Sequence, residues 1–164
     1  MRRLFPVLLA IILLCGCGST GPNRYENSLF SVSLPDGFEP IDDVPILCFA
    51  PYGDPLLSSS VTVITTELNW YFDDFSEDEY VRAIQSISGF EAIDVKQIDL
   101  LKVDGYPARR IACSVQIDQG THDLILYAIS ADRTYFFTLL NRHGDDYVAS
   151  FDSMIQTIRF TEGT

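Results

Sequence analysis

Two histidines, four cysteines and several adjacent carboxylates are the groups in this sequence best able to do chemistry. His122 stands beside a turn and His143 precedes a helical stretch, so each is a candidate general base for a hydrolase. Nucleophilic hydrolysis needs a serine and an acid brought to such a base, and no Gly-x-Ser-x-Gly elbow occurs. Zinc requires three or four converging ligands, yet no His-x-x-x-His or Cys-x-x-Cys spacing is present, so no metal is expected. The carboxylate pairs Asp42-Asp43, Asp73-Asp74 and Asp145-Asp146 read as solvated turns and helix starts. The Asp73 to Glu79 cluster lacks the spacing and the glycine of an EF-hand loop. No phosphate-cradling glycine loop is found, and no cofactor is expected.

Cys48 and Cys113 each fall in alternating apolar rows, Val44-x-Ile46-x-Cys48 and Ile111-x-Cys113-x-Val115-x-Ile117, so both point toward a core. They read either as two buried thiols behaving as small hydrophobes or as a Cys48–Cys113 disulfide. Cys17 is different in kind. Arg2 and Arg3 lead into an eleven-residue apolar stretch, Leu4 to Leu14, interrupted only by Pro6. Eleven residues of helix rise about 16 Å, half of what a membrane span needs, which favours a signal-peptide core. Leu14-Cys15-Gly16-Cys17 then resembles a bacterial lipobox, which implies diacylglyceryl transfer to the Cys17 sulfur and cleavage after Gly16. Residues 1–16 are expected to be a lipoprotein signal peptide, residues 17–24 a tether, and residues 25–164 one domain. The tether, rich in small and polar residues, reaches about 25 Å at most, so the domain would sit close to its membrane on the extracytoplasmic side.

The elements that must position these groups read as α+β. Phe30 to Leu34 alternates and stops at Pro35-Asp36-Gly37, a turn tripeptide. Val44 to Phe49 and Val61 to Leu68 give two further strands. Ser76 and Glu79 form a capping box, followed at helical spacing by Tyr80, Val81, Ile84 and Ile87, with Gly89 as a natural stop. From residue 92 the chain becomes a meander: Ala92 to Val103, the hairpin signal Asp104-Gly105, Pro107 to Ile117, His122 to Ala131 and Thr134 to Leu140. Asp145 or Asp146 is expected to cap a second helix, in which Tyr147, Phe151, Met154, Ile155 and Ile158 make one apolar stripe. An antiparallel sheet of about six strands with two main helices packed on it follows from these patterns. Trp70, Tyr71, Phe72 and Phe75 crowd four aromatics into six residues just before the first helix. Core packing with a Phe75 staple against Tyr80 accounts for some of them; an interaction patch for a protein partner accounts for the rest.

A first strand ending Leu34-Pro35-Asp36-Gly37-Phe38, a mid-chain helix, the hairpin Val103-Asp104-Gly105-Tyr106-Pro107-Ala108, and Tyr135-Phe136-Phe137 leading to a last helix resemble the PsbP-like fold, which includes DcrB-like bacterial lipoproteins. The resemblance covers roughly residues 25–160 and implies an α-β-α sandwich. It also implies an accessory or binding role without a shared catalytic constellation.

Charge narrows the partners. The 164 residues hold 23 acidic and 11 basic side chains, a formal charge of −12 that becomes −14 once Arg2 and Arg3 are removed. Phosphate neutralisation needs clustered Lys and Arg, so nucleic acid is excluded as a partner. An acidic domain is also repelled by an anionic leaflet, leaving lipid on Cys17 as the membrane contact. Three functions remain, in order: a non-catalytic envelope lipoprotein acting on a protein partner, a small-ligand or peptide receptor, and a hydrolase using His122 or His143.

Overall fold

The computed structural model describes residues 23–161, apart from residues 43, 52–57, 68–75, 89, 91, 118–119 and 143. Within this span the chain forms ten strands and two helices. In order they are β1 (Arg24–Glu26), β2 (Phe30–Ser33), β3 (Phe38–Pro40), β4 (Leu47–Pro51), β5 (Ser60–Thr66), α1 (Glu77–Ser88), β6 (Ile93–Val103), β7 (Tyr106–Ile117), β8 (Gly120–Ser130), β9 (Thr134–Asn141), α2 (Val148–Gln156) and β10 (Arg159–Phe160). The strands make two sheets, β1-β2-β10 and β3-β4-β5-β9-β8-β7-β6. All neighbouring strands run antiparallel.

The strand number therefore exceeds the six or so expected. The additions β1, β3 and β10 are two or three residues long, too short to show an alternation period, and exist because a partner strand offers its free backbone groups. Arg24, expected to end the tether, instead pairs with Ser33 across β1 and β2. Asn23 before it donates its side-chain amide to the Phe38 carbonyl at 2.6 Å.

Local signals in the sequence act as their chemistry dictates. Asp104 (φ 50°) and Gly105 (φ 84°) make the two-residue turn between β6 and β7, which needs positive φ at both positions. Gly37 (φ 79°) closes the Pro35–Phe38 turn, in which the Phe38 amide donates to the Pro35 carbonyl at 3.1 Å. At α1 the Glu79 carboxylate accepts from the Ser76 amide and hydroxyl, each at 2.7 Å, which is the Glu79 half of the expected capping box, while the Glu79 amide donates to the Ser76 carbonyl at 3.0 Å. Gly89, Phe75 and the side chains of Tyr80 and Ile87 lie outside the description.

The expected carboxylate cap of α2 is corrected. Tyr147 occupies the cap position without a side-chain bond. The Asp145 carboxylate accepts from the Ser59 hydroxyl at 2.6 Å instead, tying the loop to the start of β5. Buried Asn141 sets this geometry, donating to the Asp145 carbonyl at 3.2 Å and accepting from the Tyr147 amide at 3.2 Å. Phe38 then holds the Tyr147 ring edge-on at 5.0 Å.

The helices pack against opposite faces of the seven-stranded sheet. Odd residues of β9 (Tyr135, Phe137, Leu139) join Val61, Val63, Tyr127 and Ile129 in one cluster with Phe30 and Val32 of β2 and the α2 stripe Phe151, Met154, Ile155 and Ile158. Phe136 points the other way, into a second cluster with Ile111, Cys113, Leu124, Leu126 and Ala128 that Ile84 of α1 covers. A sheet buried on both sides explains why β9 reads as a nearly continuous apolar run.

Candidate functional site

Among the described residues, a polar constellation on the α2 face is closed upon itself. Alternation along β7 turns Arg110 toward α2, where its Nε and Nη2 donate to the two oxygens of Asp152 at 3.0 and 3.1 Å. Tyr127 on β8 donates to the same carboxylate at 2.8 Å, and Asp99 lies 3.7 Å from Arg110. Burial and the Asp152 charge push the Tyr127 hydroxyl pKa upward, while the bonds to Asp152 raise that of Arg110. Both carboxylate oxygens are taken and the donors stay protonated at neutral pH, so the group clamps α2 onto the sheet and has no proton to transfer.

The remaining titratable candidates are dispersed. Cys48 and Cys113 are free and buried. They share the α1 face, but β5, β9 and β8 separate β4 from β7. Four strand spacings put them about 19 Å apart, against the roughly 7 Å limit for a bridge. The Cys48–Cys113 disulfide is thus overturned, because the alternation that sends both thiols inward says nothing about which strands are neighbours. Burial raises the Cys48 thiol, and burial with the nearby Asp94 charge pushes Cys113 up to about 12. Neither is a nucleophile at neutral pH.

His122 sits opposite Val115 on β7, on the same face as Leu124, its ring packed over Gly120 so closely that a Cβ there would fall 2.9 Å from Nε2. Among the described residues its neighbours on that face, Val115 and Leu124, include no serine or acid. Among the described residues no group of three or more His, Cys, Asp or Glu comes together to hold a metal. Cys17, His143, and the aromatic residues Trp70, Tyr71, Phe72 and Phe75 lie outside the described residues.

Of the recesses that the described residues line, two adjoin the helix-covered faces of the sheet. One is an open groove of about 380 Å³ between the Ser33–Asp36 turn and the small residues Ala149, Ser150 and Ser153 of α2. The other is a more enclosed cavity of about 160 Å³ on the α1 face. Its apolar wall comes from Ile46 before β4, Ile64 of β5, Leu124 of β8, Leu140 of β9 and Phe90 after α1. Ser60, Thr62 and Thr138 complete its lining. Thr62 and Thr138 are direct partners across β5 and β9. These three residues escape sequence reasoning because Ser and Thr in alternating strands read as ordinary β-formers. Their one signal is that they occupy the α1-facing positions of Ser60-Val-Thr62-Val-Ile64 and of Phe136-Phe-Thr138-Leu-Leu140, between residues that pack into the other face.

Known structures share this architecture. No family model matches the sequence, and no curated protein matches it significantly. The solution structure of CyanoP, the cyanobacterial PsbP of Synechocystis sp. PCC 6803, superposes with a TM-score of 0.65 at 14% identity, covering 91% of this chain and 99% of that one. LpqN of Mycobacterium tuberculosis, described as involved in cell envelope biogenesis, gives 0.55 at 11% identity over 80% of this chain and 83% of its own. PA94 of Pseudomonas aeruginosa, a protein of unknown function, gives 0.53 at 16% identity, with 86% and 97% covered. The chain has the PsbP-like fold. At these identities the likeness is one of architecture.

Proposed function

We propose that this chain is a lipid-anchored extracytoplasmic protein with a non-catalytic accessory role at the cell envelope, exercised by contact with another protein. The observation that carries the reading is the fold shared with LpqN, which is described as acting in envelope biogenesis. The lipobox-like Leu14-Cys15-Gly16-Cys17 supports the anchor. No helix among the described residues is long and apolar enough to cross a membrane, in keeping with attachment through lipid on Cys17. The carboxylate-guanidinium cluster at Asp152 is fully engaged, which favours a binding role over a catalytic one.

Anchor and partner are tested together in cells. The mature chain is expected to begin at a diacylated Cys17 by mass spectrometry and to leave the membrane fraction on Cys17→Ser substitution. An unmodified Cys17 thiol in a soluble chain would overturn the anchor. In-cell cross-linking is expected to recover one recurrent envelope protein, with recovery reduced by Trp70→Ala and Tyr71→Ala in a chain that still folds. Capture of bulk lipid alone would overturn the accessory role.

A further inference from the structure

β6 is an edge of the seven-stranded sheet: among the described residues no strand pairs with its outer side. The two-residue turn that follows makes Val103 and Tyr106 a hydrogen-bonded pair, so Leu101, Asp99 and Gln97 also bond to β7. The N–H and C=O groups of Ile98, Leu100 and Lys102 therefore point away from the sheet, a row with which a further strand can pair. Native edges are commonly blunted by bulges or proline. Here the bulge lies between Val95 and Gln97, and the ladder from Gln97 to Val103 is regular and free of proline. Leu100 is the midpoint of that regular stretch. At 70% exposure it is also the most exposed large hydrophobic side chain among the described residues.

From this arrangement we propose that β6 docks onto β6 of a second copy of this chain, antiparallel about a two-fold axis at Leu100, joining two seven-stranded sheets into one. Register selects a copy as the occupant. Centred on Leu100, the pairing opposes Leu100 to its own counterpart, Ile98 to Lys102, Asp99 to Leu101 and Gln97 to Val103, with no like charges opposite. All three outward residues are then hydrogen-bonded across the axis. A centre at Asp99 would set that carboxylate against its counterpart in a close pair, which is destabilising. A centre at Leu101 would run Ile98 against Asp104, whose φ of 50° belongs to the turn. Side chains fit the favoured register. Ile98 packs on the α1-face cluster, and Leu100 and Lys102 follow it on that face. Pairing buries Leu100 on Leu100 and lays the Lys102 stem along Ile98 with its ammonium in water. Charge permits the approach: the two lysines of the chain, Lys96 and Lys102, both stand on β6 and balance Asp94 and Asp99 there, in a chain of net charge −12. The Gln97–Val103 edge buries about half of the roughly 800 Å² per partner of a standard interface, so the dimer is weak, with a dissociation constant of about 100 µM. This surface is independent of the anchor and of the foreign protein partner proposed above.

The test is disulfide trapping of the full chain in nonionic detergent, with copper-phenanthroline as oxidant, read by non-reducing electrophoresis. The chain without an added cysteine sets the baseline, so a lipidated and a free Cys17 serve equally, and Cys48 and Cys113 are buried. Leu100→Cys is expected to yield a covalent dimer, because residues opposite in a hydrogen-bonded pair have Cα atoms about 5.5 Å apart. Lys102→Cys should yield roughly tenfold less, its counterpart lying about 13 Å away along the strand. Sedimentation equilibrium should give the weak dimer, and Leu100→Glu should raise its dissociation constant roughly tenfold by opposing two carboxylates at the axis. That substitution alters an exposed side chain and should leave the circular dichroism spectrum unchanged. Absence of a dimer above baseline, equal trapping of Lys102→Cys and Leu100→Cys, or an unchanged dissociation constant in Leu100→Glu would each overturn the docking. Trapping of Leu100→Cys in cells on a different protein, with no dimer, would give the edge to a foreign strand and would overturn it too.

Discussion

The two faces of the seven-stranded sheet are built differently. The α2 face is tiled with large rings: Phe30 meets Phe137 at 5.3 Å and Tyr127 meets Phe151 at 5.7 Å, both edge-on. Its polar groups close on one another, Arg110 and Tyr127 on Asp152, and Tyr135 on Asp132 at 3.0 Å. The α1 face uses smaller residues, Cys113, Ala128, Thr62 and Thr138, under a helix whose only fully buried described side chain is Ile84. One face has spent its surface on packing and paired polar groups, which makes it the rigid floor of the molecule. The other retains unfilled volume, a recess of about 160 Å³ between the strands and Phe90.

Mutations across the two faces break or sharpen this contrast. The largest effect is expected at Phe151 on α2, fully buried between the sheets and the helix. Phe151→Ala should cost about 4 kcal/mol by urea denaturation, against about 2.5 kcal/mol for Ile84→Ala under α1. Equal losses would mean the faces contribute alike. Next comes the clamp: Asp152→Ala strands the half-buried Arg110 and the Tyr127 hydroxyl, and should cost about 2 kcal/mol, reduced from a fully buried charged network by the partial exposure of the pair. The loss should largely vanish in an Arg110→Met background, and persistence there would deny the coupling.

The smallest effect concerns pH. Bonds from the Ser76 amide and hydroxyl hold the Glu79 carboxyl below the usual carboxylate range. A lowered native pKa stabilises the fold above the unfolded value of about 4.3, and that contribution is lost as pH falls through the lower native value. Circular dichroism should show α1 loosening in this acid window ahead of α2, which has no carboxylate cap. The early phase should be absent in Glu79→Gln. Loosening of both helices together would remove the distinction.

Much of the scaffold was legible because its signals are local. Ser76 and Glu79 are three residues apart, so one helical turn brings them together whatever surrounds them. Asp104-Gly105 is a hairpin by its own backbone preference, and the stripe from Tyr147 to Ile158 marks which side of α2 must be covered. Legibility ended where a partner chosen by the fold competes with a local one. Asp145 had two partners within reach, the amides at the start of α2 and the Ser59 hydroxyl 86 residues away in sequence, and Asn141 and Phe38 decided for the latter. Inward direction was read correctly for Cys48 and Cys113, but the choice between two buried thiols and a disulfide fell to the strand order, since alternation gives a face and no neighbours.

By itself, then, the sequence determined the start of α1, the tight turns, the inward and outward sides of the longer alternating strands, and a net acidic charge. These depend on interactions within a few residues or on composition. Only the tertiary structure decided that β5 and β9 lie side by side, which brings Ser60 and Thr62 next to Thr138 and Leu140 and creates the recess on the α1 face. The pairing joins residues from Thr66 with Thr134 to Ser60 with Leu140, far apart along the chain, and no period or motif records it. It comes from closing a long loop so that both faces of one sheet are buried at once.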